Sequence, residues 1–130
     1  MGKVSERINQ LKGLPFIFLL LCLPARADLV LTEEKTAANI KRGEIFSIEV
    51  SSNPTTGYTW EKSQAYSTKR LRFLHWDYLP SPEPLLGTGG KEIFTFQALS
   101  PGQAKIAISY RRVWEKTKPL RRLSFIVTVE

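Results

Sequence analysis

The feature that most restricts the fold is a two-residue apolar rhythm that recurs down the chain and never gives way to a helical one. Ala104, Ile106, Ile108 and Tyr110 alternate with polar residues, as do Leu123, Phe125, Val127 and Val129. A period of two puts every second side chain on one face of an extended strand. The same reading marks strands at about Leu29–Glu33, Glu44–Val50, Tyr58–Lys62, Leu71–Tyr78, Glu92–Ala98, Gln103–Tyr110 and Leu120–Val129. Phe46, Ile48 and Val50 should share an inner face, as should Phe94 and Phe96, and in the fourth strand Leu74, Trp76 and Tyr78. Turn residues separate these runs, among them Lys41-Arg42-Gly43 and Ser100-Pro101-Gly102. Short strands at regular spacing imply an all-β, antiparallel β-sandwich of seven to eight strands in one domain.

The N-terminus reads as a targeting segment. Lys3, Arg7 and Lys12 precede an apolar run from Leu14 to Leu23, and Ala25-Arg26-Ala27 has the small-x-small form of a cleavage site. The run is too short to span a bilayer; an uncleaved interfacial helix is the alternative reading. Leu21 before Cys22 argues against a lipoprotein signal. The expected division is therefore a cleaved signal peptide, 1–27, and a β-sandwich domain, 28–130, exported to a periplasm or secreted. The 103 residues from Asp28 are enough for one domain with its own core. Cys22, the sole cysteine, departs with the signal, so neither a disulfide nor a thiol nucleophile is expected.

Cleavage leaves 15 basic and 11 acidic side chains, a net charge of +4. The charges are interspersed, with no Lys/Arg tract of the kind that marks a nucleic-acid arm. One histidine, His75, and two aspartates, Asp28 and Asp77, cannot be assembled into a nucleophilic triad or a metal cluster. An enzyme is not expected, and no cofactor or metal. His75 reads as a surface or edge residue.

Strand order carries the functional argument. In an antiparallel sandwich alternate connections emerge at one end, which gathers Ser51–Gly57, Leu79–Gly90 and Arg111–Pro119. Long or glycine-rich loops on a rigid scaffold are where binding usually sits. The first holds Asn53-Pro54-Thr55-Thr56-Gly57-Tyr58-x-Trp60, a turn that becomes a strand. The second holds Leu86-Gly87-Thr88-Gly89-Gly90, and the third Arg112-Val113-Trp114-Glu115. Tyr58, Trp60 and Trp76 read as core, whereas Trp114, in a charged loop, reads as exposed.

These three motifs, in this order and on alternate loops, resemble the chagasin-type inhibitors of papain-like cysteine peptidases, across essentially the whole mature chain. The resemblance implies an immunoglobulin-like sandwich whose loops form a wedge entering the peptidase cleft. It places Asn53, Pro54, Thr55, Thr56 and Gly57 centrally, near the enzyme's catalytic cysteine. Leu86, Gly87, Thr88, Gly89 and Gly90 would lie along the non-primed side, and Arg112, Val113 and Trp114 would pack on the primed side. It also implies a monomer whose partner is a papain-like peptidase, the producer's own or a host's. Inhibition would be reversible and non-covalent, since the tip carries no electrophile. The family's third loop commonly has Pro where this chain has Val113, which removes a φ constraint. Arg111, beside Arg112, is a second candidate for the partner contact. The rival reading is an exported binding or adhesion module, for carbohydrate for example, with Trp114 and Tyr110 as a stacking platform.

Overall fold

A computed structural model describes residues 29–61, 66–82 and 89–130. The strands are β1 (Leu29–Leu31), β2 (Ala37–Ile40), β3 (Ile45–Ser52), β4 (Tyr58–Trp60), β5 (Leu71–Pro80), β6 (Gly90–Ala98), β7 (Gly102–Arg112) and β8 (Arg121–Val129). They form two four-stranded sheets, ordered β1-β3-β6-β5 and β2-β8-β7-β4. Face to face, they make the sandwich that the alternating pattern demands. The targeting segment, Lys62 and the stretch Leu86–Thr88 lie outside the described residues.

The inward faces close as the alternation implies. Phe46, Ile48, Val50, Phe94, Phe96, Ile106, Ile108, Phe125 and Val127 are all buried, and Trp60 is the largest fully buried side chain. Each such residue contributes about 1.5–3 kcal/mol when removed from water. Phe46 stacks on Phe96 at 5.6 Å between centroids, and Phe73 and Tyr66 meet Phe96 edge-on at 5.4 and 5.3 Å.

Two expectations need correction. The sandwich is not wholly antiparallel, because β1 runs parallel to β3 and β2 parallel to β8. The chain leaves one sheet after Leu31, turns at Thr32, whose Oγ1 accepts from the N–H groups of Glu34 and Lys35, and joins the other sheet as β2. No strand was expected at Ala37-Ala38-Asn39-Ile40, where three poor β-formers precede a single isoleucine. It exists because β8 offers a free edge and Ile40 a place in the core. The second correction concerns β5. Its register against β6 shifts between Phe73 and His75, a bulge that turns Leu74 outward, 37% exposed. The inward set is Leu71, Phe73, Trp76 and Tyr78. His75 is exposed on this edge strand, as expected.

Pairing fixes the ends of the sandwich. Ser52 and Pro80 both lie opposite Gly90, while Tyr58 lies opposite Arg112 and Tyr110 opposite Arg121. The β3–β4, β5–β6 and β7–β8 connections therefore share one end. The other end holds ordinary turns, tied by Gly43 N donating to Ala98 O and Leu99 N to Arg70 O.

Candidate functional site

The β3–β4 connection is shorter and more rigid than its sequence span suggests. β3 continues through Ser52, and Pro54–Thr56 forms one 3-10 turn. Asn53 caps it: its Oδ1 accepts from the Thr55 N–H at 3.3 Å and also from the Thr55 hydroxyl. Its carbonyl accepts from Thr56 N at 3.2 Å and Thr56 Oγ1 at 2.7 Å. Asn53 N donates to the Tyr110 hydroxyl, 3.2 Å away across the sandwich. Gly57 closes the turn at φ +85°, a left-handed conformation that costs a residue with a β-carbon roughly 1–2 kcal/mol. The result is an exposed tip, Pro54–Thr56, whose hydroxyls are already engaged in holding its shape.

The β7–β8 connection leans on that tip. A β-carbon at Gly57 would lie 2.9 Å from Trp114 Cζ2 and closer still to Cη2, so the indole edge rests directly on the glycine. Trp114 is nevertheless 70% exposed, as its charged surroundings imply. Arg112 ends β7 with its side chain on the inward parity. Its Nε donates to Thr56 O at 3.1 Å, its Nη1 pairs with Glu115 Oε1 at 3.2 Å, and its guanidinium lies 4.5 Å above the Tyr58 ring. Arg111 has the opposite parity and donates to the carbonyls of Glu115 (3.1 Å) and Thr117 (3.5 Å), beside Glu61 at 3.8 Å. The two arginines have different places within the fold: Arg112 braces the tip, and Arg111 braces its own loop.

Glu115 N donates to Arg112 O, closing a four-residue turn in which Val113 occupies the second position. That is where proline is favoured in a type I or II turn. Val113 is 76% exposed, so its side chain contributes no packing to hold the turn.

Of the second loop's Leu86–Gly90 motif, Gly89 and Gly90 are described; at the other end of that loop, Leu79 and Pro80 belong to β5. Gly90 is not a loop residue but the first of β6, facing Ser52 and Pro80. At Gly89 a β-carbon would run into Ser52 O and sit 3.1 Å from Asn53 Cβ. Only glycine lets this backbone pass so close to the tip's base. The structure thus brings Asn53–Gly57, Gly89, Gly90 and Arg112–Trp114 to one edge.

Tyr110, offered above as an open platform beside Trp114, is half-buried. Its ring lies 5.4 Å from Tyr58 and 4.9 Å from Trp60. It belongs to the scaffold beneath the tip, which removes one half of the carbohydrate reading.

One supporting residue was not anticipated. Glu92 on β6 is 1% exposed, and its two oxygens accept from Trp60 N (3.0 Å) and Trp76 Nε1 (2.9 Å). Trp60 Nε1 in turn donates to Ser51 O at 2.9 Å. Edge strand β4 is thereby bolted to the opposite sheet at the root of the tip. In the sequence Glu92 looks like any strand-initial polar residue; only its parity with Phe94 and Phe96 could have marked it as inward.

Comparison with known proteins converges on one family. The profile described as "Chagasin family peptidase inhibitor I42" matches residues 39–129. Amoebiasin-2 of Entamoeba histolytica is 31% identical over 116 residues, covering 86% of this chain and 94% of that protein. Chagasin of Trypanosoma cruzi is 35% identical over 75 residues, 55% of this chain and 68% of that one. The crystal structure of a cysteine protease inhibitor from Entamoeba histolytica superposes with a TM-score of 0.71 at 27% identity, over 83% of this chain and 100% of that chain.

Proposed function

The chain belongs to the chagasin family of peptidase inhibitors, and from that premise we propose how it inhibits papain-like cysteine peptidases. It acts as an inhibitor, not an enzyme: it occludes the cleft and catalyses nothing. The observation that carries the reading is the joined edge, in which an exposed Trp114 rests on Gly57 and Arg112 clasps the carbonyl of Thr56. The tip Pro54–Thr56 enters the cleft centrally, Trp114 covers the enzyme surface on one side, and Leu86–Gly90 follows the cleft on the other. Trp and Arg are the residue types most often found as interface hot spots, and a braced tip loses little freedom on binding. An interface near the ~1,600 Å² standard suffices for tight inhibition. No group at the tip is an electrophile, so the complex is reversible.

The protein acts as a monomer outside the cytoplasm, in a periplasm or secreted. The monomer rests on the family resemblance; the localisation rests on the Lys3–Ala27 pattern and is tested by the mass of the exported chain, which should begin at Asp28 and not at Met1.

The main test titrates Asp28–Glu130 into active papain with a fluorogenic substrate, with a trypsin-like serine peptidase as control. Stoichiometric, reversible loss of papain activity alone is expected. Trp114→Ala should weaken inhibition roughly thirtyfold, the scale of a ~2 kcal/mol hot spot. Shortening Thr55–Gly57 should do at least as much, each with the melting transition retained. Full inhibition by both variants would show that the contact surface lies elsewhere.

A further inference from the structure

The charge of this domain is concentrated beside the site. Residues 111–122 contain six cationic side chains and one carboxylate, Glu115. Their net charge is +5, against +4 for residues 28–130 together, so the rest of the domain stands at −1. Three of the six are answered within the fold: Arg111 by Glu61, Arg112 by Glu115, and Arg121 by Glu33 at 3.5 Å. Lys116, Lys118 and Arg122 are exposed and form no ion pair among the described residues.

Arg122 and the loop that carries Lys116 and Lys118 meet at one sheet face. Arg122 projects from the outer face of its sheet, opposite Ser109, and Arg111 projects from the same face two residues along β7. The bonds from Arg111 to the carbonyls of Glu115 and Thr117 draw the loop over that face and fix the backbone on both sides of Lys116. Lys116 and Lys118 therefore lie on a braced loop that runs on from Trp114, and Arg122 lies on the strand that this loop leads into. Like charges held together without partners add nothing to stability. Their place next to the exposed tryptophan gives them a use in the encounter with a partner.

Resting on the reading above, we propose that Lys116, Lys118 and Arg122 form a docking surface for an acidic strip on the target peptidase. That strip lies outside the cleft, beyond the ground covered by Trp114, so the preferred targets are papain-like peptidases carrying carboxylates there. Such a surface acts mainly on the association rate, because rim charges steer the encounter and stay hydrated in the complex. Its reach is about 8 Å at physiological salt.

The test measures association and dissociation rates by stopped flow against papain-like peptidases inhibited by the wild type, ranging from acidic to basic surfaces. Three proteins are compared: wild type, Lys116→Gln/Lys118→Gln/Arg122→Gln, and Lys41→Gln/Arg42→Gln/Lys69→Gln, which removes equal charge at the opposite end. Against acidic enzymes at low salt the first variant should associate about tenfold more slowly, with dissociation changed less than twofold. The gap should close at 0.5 M salt, and the second variant should track the wild type. Equal association rates for the first variant and wild type on every enzyme would overturn the proposal. So would a loss confined to binding of dextran sulfate or anionic vesicles, which would assign the patch to an anionic polymer or lipid. If no papain-like peptidase inhibited by the wild type can be found to form this panel, the inhibitor reading itself falls, and the docking surface with it.

Discussion

Replacing Glu92 by alanine tests what holds the binding edge in place. The carboxyl group accepts from two N–H donors on different strands: the backbone of Trp60 and the indole of Trp76. Alanine leaves both donors facing the space vacated. A buried donor stripped of its partner costs about 1–3 kcal/mol, so two cost about 2–6. Water entering the gap would recover part of this, which favours about 3 kcal/mol. Set against a typical domain stability of about 5–15 kcal/mol, the loss is large. For a domain of this size it lowers Tm by roughly 12–24 °C. Urea unfolding of Asp28–Glu130, followed by Trp fluorescence, measures it. Trp76→Phe removes one of the donors, so in the Glu92→Ala background it should cost at least about 1 kcal/mol less than in the wild type. A loss below about 1 kcal/mol for Glu92→Ala, or strict additivity with Trp76→Phe, would refute the view that this residue ties the sheets together.

Two further outcomes follow from the loops. Gly57→Ala combines a left-handed backbone with a β-carbon directed into the Trp114 indole. It should cost about 1–2 kcal/mol in unfolding and weaken papain inhibition by more than that strain alone, since Trp114 must move. An inhibition constant unchanged within twofold would contradict the contact. Val113→Pro places proline at the second position of the Arg112–Glu115 turn. It should stabilise the domain by about 0.4–1 kcal/mol and tighten inhibition severalfold, mostly through slower dissociation. Weaker inhibition would mean that the loop must flex to bind.

Much of this molecule was legible in its sequence because the information is local. The period-two alternation assigned Phe46, Phe96, Ile106 and Phe125 to the core with no knowledge of their partners, since pleating alone sends alternate side chains to opposite faces. Counting connections placed the three loops at one end, because strand reversal is a matter of order. The Asn53–Gly57 turn was also readable: Pro54 sets its own φ, and Gly57 supplies the left-handed residue.

Tertiary structure alone decided the rest, wherever a residue's role depends on a partner distant in sequence. Ala37–Asn39 have little strand preference of their own, and Ala37–Ile40 becomes β2 because β8 presents an edge. The bulge that turns Leu74 outward is a mismatch between two strands and exists in neither alone. Arg111 and Arg112 are neighbours of the same kind, yet opposite parity sends one to its own loop and the other to Thr56, 56 residues away. Glu92 is the clearest case: a carboxyl group belongs inside a sandwich only if donors meet it there, and Trp60 and Trp76 reach it from two different strands.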